Sequence, residues 1–254
     1  MGNVRFVRKA AIFIALSAFA LSLAGCGPKE VLLYDDSGNH FAAEALNRLN
    51  YRFTTVTTME DFVGVFQSKA WDLLVMDNPS LVDGQTGALP LVDYFVTHGA
   101  KAVISTMNIR QWPDLTLWAS LGYRSEGFPN LAPMPVYKVN PSFPLWRSPR
   151  SAPELDFEGA DDLYVNNGFP GSAIGSGTIL AVFSKITPAT NAAVISANDG
   201  RTILNCFLLD DGARSSIPIN TDGDSIADSV EWWMNEISYV ASQPGVQVKP
   251  GPPL

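Results

Sequence analysis

Side chains that carry oxygen recur at fixed intervals in the stretch NTDGDSIADSVE, residues 220–231. Counted from the start of the stretch, they stand at positions 1, 3, 5, 9 and 12: Asn220, Asp222, Asp224, Asp228 and Glu231. A twelve-residue loop that wraps a hard cation takes its ligands from these positions and from the carbonyl of position 7, here Ile226. Because Ca²⁺ prefers such a shell of oxygens, the spacing predicts a calcium loop with these six residues as ligands.

The stretch resembles the DxDGDGIxDxxE loops of thrombospondin type 3, dockerin and EF-hand-like modules, with two departures. Asn220 replaces the first aspartate and removes one charge. Ser225 replaces the glycine of the sixth position, where a left-handed backbone makes other residues unfavourable. A plain helix start is the alternative, with Asp224 or Ser225 as the cap. Its first turns, where negative charge is favourable, would then hold Asp228 and Glu231. The spacing leaves both interpretations open.

Acidic residues and a histidine stand where two apolar runs end. The run VLLYDD closes on Asp35 and Asp36, with His40 shortly after, and Asp77 closes the run WDLLVMD. A carboxylate beside an imidazole serves general acid–base catalysis. These four residues are therefore the candidate catalytic set of a hydrolase acting on carbohydrate or peptide. Acids at strand ends also cap helices and form turns, which is the alternative.

A nucleophile for such a hydrolase is not clearly marked in the sequence. Ser37, Ser105 and Thr106 carry hydroxyls near the same run ends, but the chain has no Gly-x-Ser-x-Gly elbow. Two more acid pairs, Asp161/Asp162 and Asp210/Asp211, are further candidates for acid–base work or for a hard cation.

Strand-like and helix-like segments alternate through the first half of the chain. Solid apolar runs predict strands at 31–36, 52–58, 71–79, 101–108 and 123–128. Apolar residues at helical spacing predict helices over 40–50, 59–69, 89–99 and 114–122. Strands that are apolar throughout are buried on both faces, so we expect a mainly parallel sheet with helices on each side. The predicted fold class is α/β, a doubly wound three-layer sandwich that binds ligands at the carboxyl ends of its strands.

The second half of the chain changes character. Residues 129–177 are rich in Pro, Gly, Ser and Asn and are predicted to be an irregular excursion. Strand-like runs stand at 135–140, 162–167, 177–185 and within 192–209. In the last of these, Asp199-Gly200 predicts the turn of a β-hairpin. Apolar spacing predicts a closing helix over 225–242.

Four stretches carry a family resemblance: VLLYDDSGNHFAAEALNRL, WDLLVMDNP, NPSFPLW and the hairpin AAVISANDGRTILNCFLLDD before the closing helix. In this order they resemble the class I glutamine amidotransferase-like superfamily, which implies a flavodoxin-like fold. The resemblance also implies a cysteine nucleophile in a Gly-x-Cys-x-Gly turn after a strand. The matching strand here, KAVIS, runs instead into Thr106-Met107-Asn108. The chain is therefore predicted to be a non-catalytic binding or scaffolding module, with the hydrolase as the alternative.

The first 25 residues have the features of a secretory signal, a basic start followed by a short apolar run. The sequence Leu23-Ala24-Gly25-Cys26 resembles the bacterial lipobox. That resemblance implies cleavage before Cys26, a diacylglycerol on its sulfur and an acyl chain such as palmitate on its amine. The predicted partner is then the lipid bilayer, and the predicted location is the cell envelope. Because Gly27 and not Asp follows Cys26, a Gram-negative cell would place the protein at the outer membrane.

The composition of the chain limits which classes of partner it can bind. Beyond residue 25 the chain keeps 14 basic and 25 acidic residues, a formal net charge of −11. So acidic a chain is a poor ligand for nucleic acid, which we exclude. An unidentified protein or carbohydrate ligand and Ca²⁺ are the remaining expectations. Cys206 lies in the apolar run TILNCFLL and is predicted to be a small buried hydrophobe.

The predicted organisation has four parts. A signal peptide covers 1–25 and a lipidated tether 26–30. A single α/β domain covers 31–242, and 243–254 form a disordered tail, because its prolines and glycines favour neither helix nor central strand.

Overall fold

A single β-sheet with helices against it forms the centre of the domain. The structure, a computed structural model, describes residues 28–77, 88–106, 109, 115–127, 135–156, 168–209 and 219–251. Within these residues ten strands join the sheet. The predicted signal peptide, Cys26 and the predicted strand 162–167 lie outside them.

One half of the sheet is parallel. Its strands are β1 (Val31–Asp35), β2 (Phe53–Val56), β3 (Leu73–Asp77), β4 (Lys101–Ser105) and β10 (Thr202–Asn205). They lie in the order β2-β1-β3-β4-β10. β1 and β3 are buried along their whole length, as their solid apolar runs predict. The order 2-1-3-4, followed by one more parallel strand, is that of flavodoxin-like folds. The predicted α/β class is confirmed.

The other half of the sheet is antiparallel. Its strands are β5 (Tyr123–Ser125), β6 (Tyr137–Lys138), β7 (Gly171–Ala173), β8 (Thr178–Val182) and β9 (Ala192–Ala197). β9 pairs with β10 through a turn in which Asn198 and Asp199 have φ of 55° and 57°. Gly200 is also left-handed, with φ of 81°, and the loop between the two strands has four residues, 198–201. The antiparallel pairing of β9 with β10 through this loop confirms the predicted hairpin. Short turns can join only antiparallel neighbours, which explains why the sheet changes direction here.

The helices lie on both faces of the sheet. They are α1 (Phe41–Arg48), α2 (Met59–Ser68), α3 (Ala88–Thr97), α4 (Thr116–Ser120) and α5 (Asp228–Ser242). The chain moves to one side from β1 to β2 and to the other side from β2 to β3. Right-handed crossovers then put α1 and α2 on opposite faces. α5 packs on α1 and on the sheet, whereas α3 packs on α2 and α4.

The closing helix is buried on most of its surface, because the irregular excursion covers its outer side. The indole of Trp232 lies 4.6 Å from that of Trp146, between ring centroids, and its Nε1 donates to the carbonyl of Pro153. The side chain of Asn235 exchanges two hydrogen bonds with the backbone of Arg150. Part of the excursion is therefore ordered by packing on α5. Of the predicted strand 135–140, only β6 forms.

The end of the chain differs from the prediction of a disordered tail. Trp71 and Val248 exchange two backbone hydrogen bonds, and the amide of Gln67 donates to the carbonyl of Gly251. The side chain of Val248 is buried, so this segment lies against the start of β3 up to Gly251. The described residues include no helix with both the length and the apolar character needed to span a membrane.

Candidate functional site

Four polar residues form a row at the carboxyl edge of the parallel strands. Asp35 pairs in register with Asp77, Asp77 with Ser105, and Ser105 with Asn205. Each of the four is buried. Open α/β sheets bind their ligands at this edge, so the row marks the candidate site.

Asp35 and His40 are brought together at one end of this row. Nδ1 of His40 lies 2.9 Å from Oδ2 of Asp35. The carboxylate is buried, whereas the imidazole side chain is 62% exposed. His40 precedes α1 with a left-handed backbone, φ 56°, and this turn directs the ring back toward the end of β1. An ionised carboxylate accepts the proton of Nδ1, which leaves Nε2 as the acceptor that faces outward.

The hydroxyl of Ser37 locks the same turn. It donates to Oδ1 of Asp35 at 2.7 Å and accepts the backbone N–H of His40 at 3.1 Å. The backbone N–H of Ser37 also donates to Oδ1 of Asp35, at 3.0 Å. The single hydroxyl proton therefore points at the carboxylate and not at the imidazole. A serine nucleophile needs the reverse arrangement, with its proton directed at the base.

Ser105 is equally committed to structure. Its hydroxyl donates to the carbonyl of Phe207 and accepts the N–H of Leu209, at 2.9 and 2.7 Å. It thus fastens the segment after β10 to the end of β4. Thr106, the next candidate hydroxyl, is fully buried. Neither Ser37 nor Ser105 is therefore placed as a nucleophile that His40 could activate.

The other two predicted catalytic residues, Asp77 and Asp36, lie in different surroundings. Asp77 is the in-register neighbour of Asp35 and is also buried. Asp36 accepts a hydrogen bond from the hydroxyl of Tyr34, whose ring packs on Phe62 of α2. Successive residues of a strand point to opposite faces, so Asp36 lies on the α2 side while Asp35 meets His40 on the α1 side. The sheet therefore separates the side chain of Asp36 from the Asp35–His40 pair.

An open polar groove adjoins His40 and runs along the outer face of α1. Its volume is about 540 Å³, and its lining residues are Asn39, His40, Ala43, Glu44, Asn47 and Arg48. Glu44 and Arg48 form an ion pair at 2.7 Å, which leaves the groove close to neutral. The segments that follow β3, β4 and β10 at the same edge fall largely outside the described residues, as do Asp161/Asp162 and Asp210/Asp211.

A second cluster lies before α5 and gathers part of the predicted calcium ligands. One carboxylate oxygen each from Asp222, Asp224 and Glu231 lies within 4.8 Å of the others. Asp228 is buried, and its Oδ1 accepts the N–H of Thr221 at 2.9 Å.

The remaining predicted ligands are placed less directly. The amide oxygen of Asn220 accepts the N–H of Gly223 at 2.7 Å, and the N–H of Ile226 donates to Asp224 at 2.8 Å. Ser225 has φ of 75°, which is why α5 begins at Asp228 and not at the predicted residue 225.

The electrostatics of this cluster are unfavourable. Burial, and then the charges of Asp222, Asp224 and Asp228, raise the pKa of Glu231 to about 7, while Arg150 opposes the rise. Burial also raises the pKa of Asp228. Acids crowded together in this way favour either protons or a cation.

Sequence reasoning missed a buried acid beside the row. Glu236 of α5 is fully buried, and its Oε2 accepts a hydrogen bond from Nδ2 of Asn205 at 2.7 Å. Burial raises its pKa to about 8. Asn205 within an apolar strand was the available signal, because a buried amide needs a polar partner.

No family model matches this chain, and no curated protein matches it in sequence. Among solved structures, a carbohydrate deacetylase overlaps 72% of the chain with 17% identity and a TM-score of 0.45. The chain spans only 30% of that protein's length. A glutamine amidotransferase from Thermotoga maritima also overlaps 72% of the chain, and 76% of its own, with 12% identity and a TM-score of 0.41. Overlaps at these scores carry no argument about activity, and the fold class rests on the strand order.

Proposed function

We propose that this chain is a lipid-anchored binding module of the bacterial envelope, which holds a hydroxyl-rich saccharide at the carboxyl edge of its sheet without catalysing a reaction. The observation that carries the proposal is the double engagement of Ser37. Its hydroxyl proton goes to Asp35 and its lone pair to the N–H of His40. The hydroxyl of Ser37 is therefore a structural lock, and the imidazole is held in place and exposed, where it can contact a ligand.

The groove on α1 supports a neutral, polar ligand. Asn47 offers an amide donor and an amide acceptor, and His40 offers the acceptor Nε2. The pairing of Glu44 with Arg48 leaves no net charge that a charged ligand would be needed to balance. Sugar hydroxyls both donate and accept, so they match this mixture better than an apolar or a strongly charged surface would.

The predicted anchor gives this site an orientation. The backbone N–H groups of Lys29 and Glu30 both donate to Oδ2 of Asp72, at 2.8 and 2.9 Å. Only Gly27 and Pro28 then separate Cys26 from the fixed chain. Two extended residues span about 7 Å, so a lipid on Cys26 would hold the amino edge of the sheet near the bilayer. The carboxyl edge, with His40, would face away from the membrane toward envelope glycans.

Glycan-array binding by the full lipidated protein, purified in detergent, tests the proposal. We expect at least one saccharide class to bind, and His40→Ala to weaken that binding by about tenfold. His98→Ala is the matched control, because it removes the other histidine of the mature chain, which stacks on Tyr94 at the end of α3. An array without binders would contradict the proposal, as would a peptide or protein ligand that binds independently of His40.

A hydrolase is the second candidate, and the Asp35–His40 pair favours it. An imidazole whose Nδ1 is held by a carboxylate can accept a proton at Nε2 from water, so a reaction without a protein nucleophile remains open to this edge. Mass spectrometry of saccharides and peptides incubated with the protein distinguishes the two candidates. Products that form with the wild type and not with His40→Ala would replace the binding module by an enzyme.

A further inference from the structure

We infer that residues 220–231 bind one Ca²⁺ ion through the carboxylates of Asp222, Asp224 and Glu231, and that this ion ties the loop to the first turn of α5. The site lies apart from His40 and goes beyond the proposed function, on which it does not depend.

The distances fit calcium. Three ligand oxygens that all lie within 4.8 Å of one another leave a central point no more than about 2.8 Å from each. Ca²⁺ takes oxygen ligands at about 2.3–2.6 Å, so a small closure of the loop completes the contact. Mg²⁺ requires about 2.0–2.1 Å and strict octahedral geometry, which would require a larger closure.

Buried carboxylate oxygens without hydrogen-bond partners support a cation site at this cluster. Glu231 and Asp228 are each 1% exposed. Neither Oε2 of Glu231 nor Oδ2 of Asp228 has a hydrogen-bond partner in the part of the chain that is described. Buried carboxylate oxygens are normally hydrogen-bonded or bound to a metal. Since Glu231 is itself a member of the three-carboxylate cluster, a cation there would satisfy a group that the protein leaves unsatisfied.

The net negative charge at the start of α5 also favours a bound cation. Asp222, Asp224, Asp228 and Glu231 bring four carboxylates to the start of α5. The ion pair described at this loop is that of Arg150 with Asp224, and it is long, 3.8 Å between Nη1 and Oδ2. One distant guanidinium offsets at most one of these four negative charges, and a divalent ion would offset two more.

The backbone already holds the loop in a curled form. Side-chain oxygens of Asp222 and Asp224 accept N–H groups two residues further on, at 3.1 and 2.8 Å. Ser225 takes the left-handed conformation at the position where glycine is usual. The strain of a serine there and the neutral Asn220 both weaken affinity, so we expect a site that fills at the millimolar calcium of an extracellular medium.

Calorimetric titration of the full protein in detergent with CaCl₂, after removal of metals by EDTA, tests the inference. We expect one ion to bind and the melting temperature to rise by about 3–5 °C at tenfold excess over the Kd. Terbium luminescence gives a second readout, since Trp232 directly follows Glu231 and can sensitise the ion. MgCl₂ should produce a much smaller shift.

Glu231→Gln and Asp224→Asn should each weaken calcium binding at least 100-fold. Both keep the size of the side chain, and Glu231→Gln also removes a buried charge, so these variants should fold. Asp199→Asn is the control, because it removes one exposed acid from the hairpin turn. Absence of heat and of any thermal shift at 10 mM CaCl₂ would overturn the inference. So would an unchanged calcium response in Glu231→Gln. His40→Ala should keep the full response, which separates this outcome from that of the saccharide test.

Discussion

Nδ1 of His40, whose side chain is 62% exposed, lies 2.9 Å from Oδ2 of Asp35, whose side chain is 2% exposed. A buried acceptor thus fixes the orientation of an exposed ring. The left-handed backbone of His40 makes this possible, since it turns the ring back over the end of β1. A ring held in this way loses little freedom when a ligand arrives, and preorganisation of this kind favours binding.

Asp35→Asn should lower both stability and ligand binding. The substitution removes the negative charge that accepts hydrogen bonds from Ser37 and His40. It also replaces one carboxylate oxygen by an NH₂ group, which would face the hydrogen-bond donor of Ser37 or His40. We expect the free energy of unfolding to fall by about 1–3 kcal/mol and saccharide affinity to fall by about tenfold. Urea unfolding and calorimetry measure the two effects. Asp36→Asn is the control on the other face of the sheet, and equal effects of the two variants would contradict the assigned roles.

Ser37→Ala should separate a structural serine from a nucleophile. The variant loses the hydroxyl that joins Asp35 to the His40 N–H, so the free energy of unfolding should fall by about 1–2 kcal/mol. Saccharide binding should persist within a fewfold of the wild type, because His40 keeps its bond to Asp35. Ser68→Ala removes an exposed hydroxyl that donates to Val65, and we expect a change below about 0.5 kcal/mol. If Ser37→Ala left stability unchanged, the lock would be refuted.

Glu236 should make the protein less stable as the pH rises. Burial raises the pKa of this carboxyl to about 8 from an ordinary 4.5. Between these values the unfolded chain has lost the proton that the folded protein keeps, so stability decreases with pH and levels off above about 8. Thermal or urea unfolding from about pH 5 to about pH 9, with EDTA present, should show a loss on the order of 4 kcal/mol from this group.

Glu236→Gln should make that pH profile shallower and stabilise the protein above neutral pH, because the amide is neutral throughout. Glu60→Gln, on the exposed first turn of α2, should leave the slope of the wild type in place. Identical slopes for wild type and Glu236→Gln would show that the carboxyl ionises normally in the fold.

Cys26 should decide where the protein is found in a bacterial cell. Cys26→Ala should abolish labelling with palmitate and move the protein out of the membrane fraction, because no other attachment is predicted. Cys206→Ala is the matched control, since that thiol is fully buried. Its labelling and membrane fraction should match those of the wild type. Membrane retention of Cys26→Ala with no palmitate label would exclude the predicted anchor.

The sequence predicted the elements better than their contacts. Apolar runs marked β1, β3 and β4, because strands buried on both faces have few polar residues. The dipeptide Asp199-Gly200 marked the hairpin, since few residues tolerate its left-handed turn. The docking of the last segment was not predictable, because it depends on Val248 meeting Trp71 far back in the chain.

The sequence named residues of the candidate site but did not assign their roles. Asp35 and His40 were placed at one edge, because strand ends meet there. The direction of the Ser37 hydroxyl proton depends on the conformation of the turn formed by residues 35–40. Sequence spacing alone could not show that Ser37 has a structural role. Strand alternation could have separated Asp36 from Asp35, since neighbours in a strand face opposite sides.

Two glycines should respond in opposite directions to the same substitution. A Cβ added to Gly171 of β7 would overlap Cε2 of Tyr123 and lie 2.7 Å from the backbone oxygen of Arg124. Tyr123 is buried and its hydroxyl donates to Phe169, so the ring has no room to move. We expect Gly171→Ala to lower the free energy of unfolding by about 3 kcal/mol or more. At Gly64, inside α2, no atom of the described residues outside the neighbouring helix backbone lies within 4 Å of the same Cβ. Gly64→Ala should therefore raise the free energy of unfolding by about 0.5–1 kcal/mol, since alanine favours the helix and restricts the unfolded chain. Urea unfolding of both variants checks the two signs, and a Gly171→Ala protein as stable as the wild type would mean that β5 and β7 do not approach as closely as described.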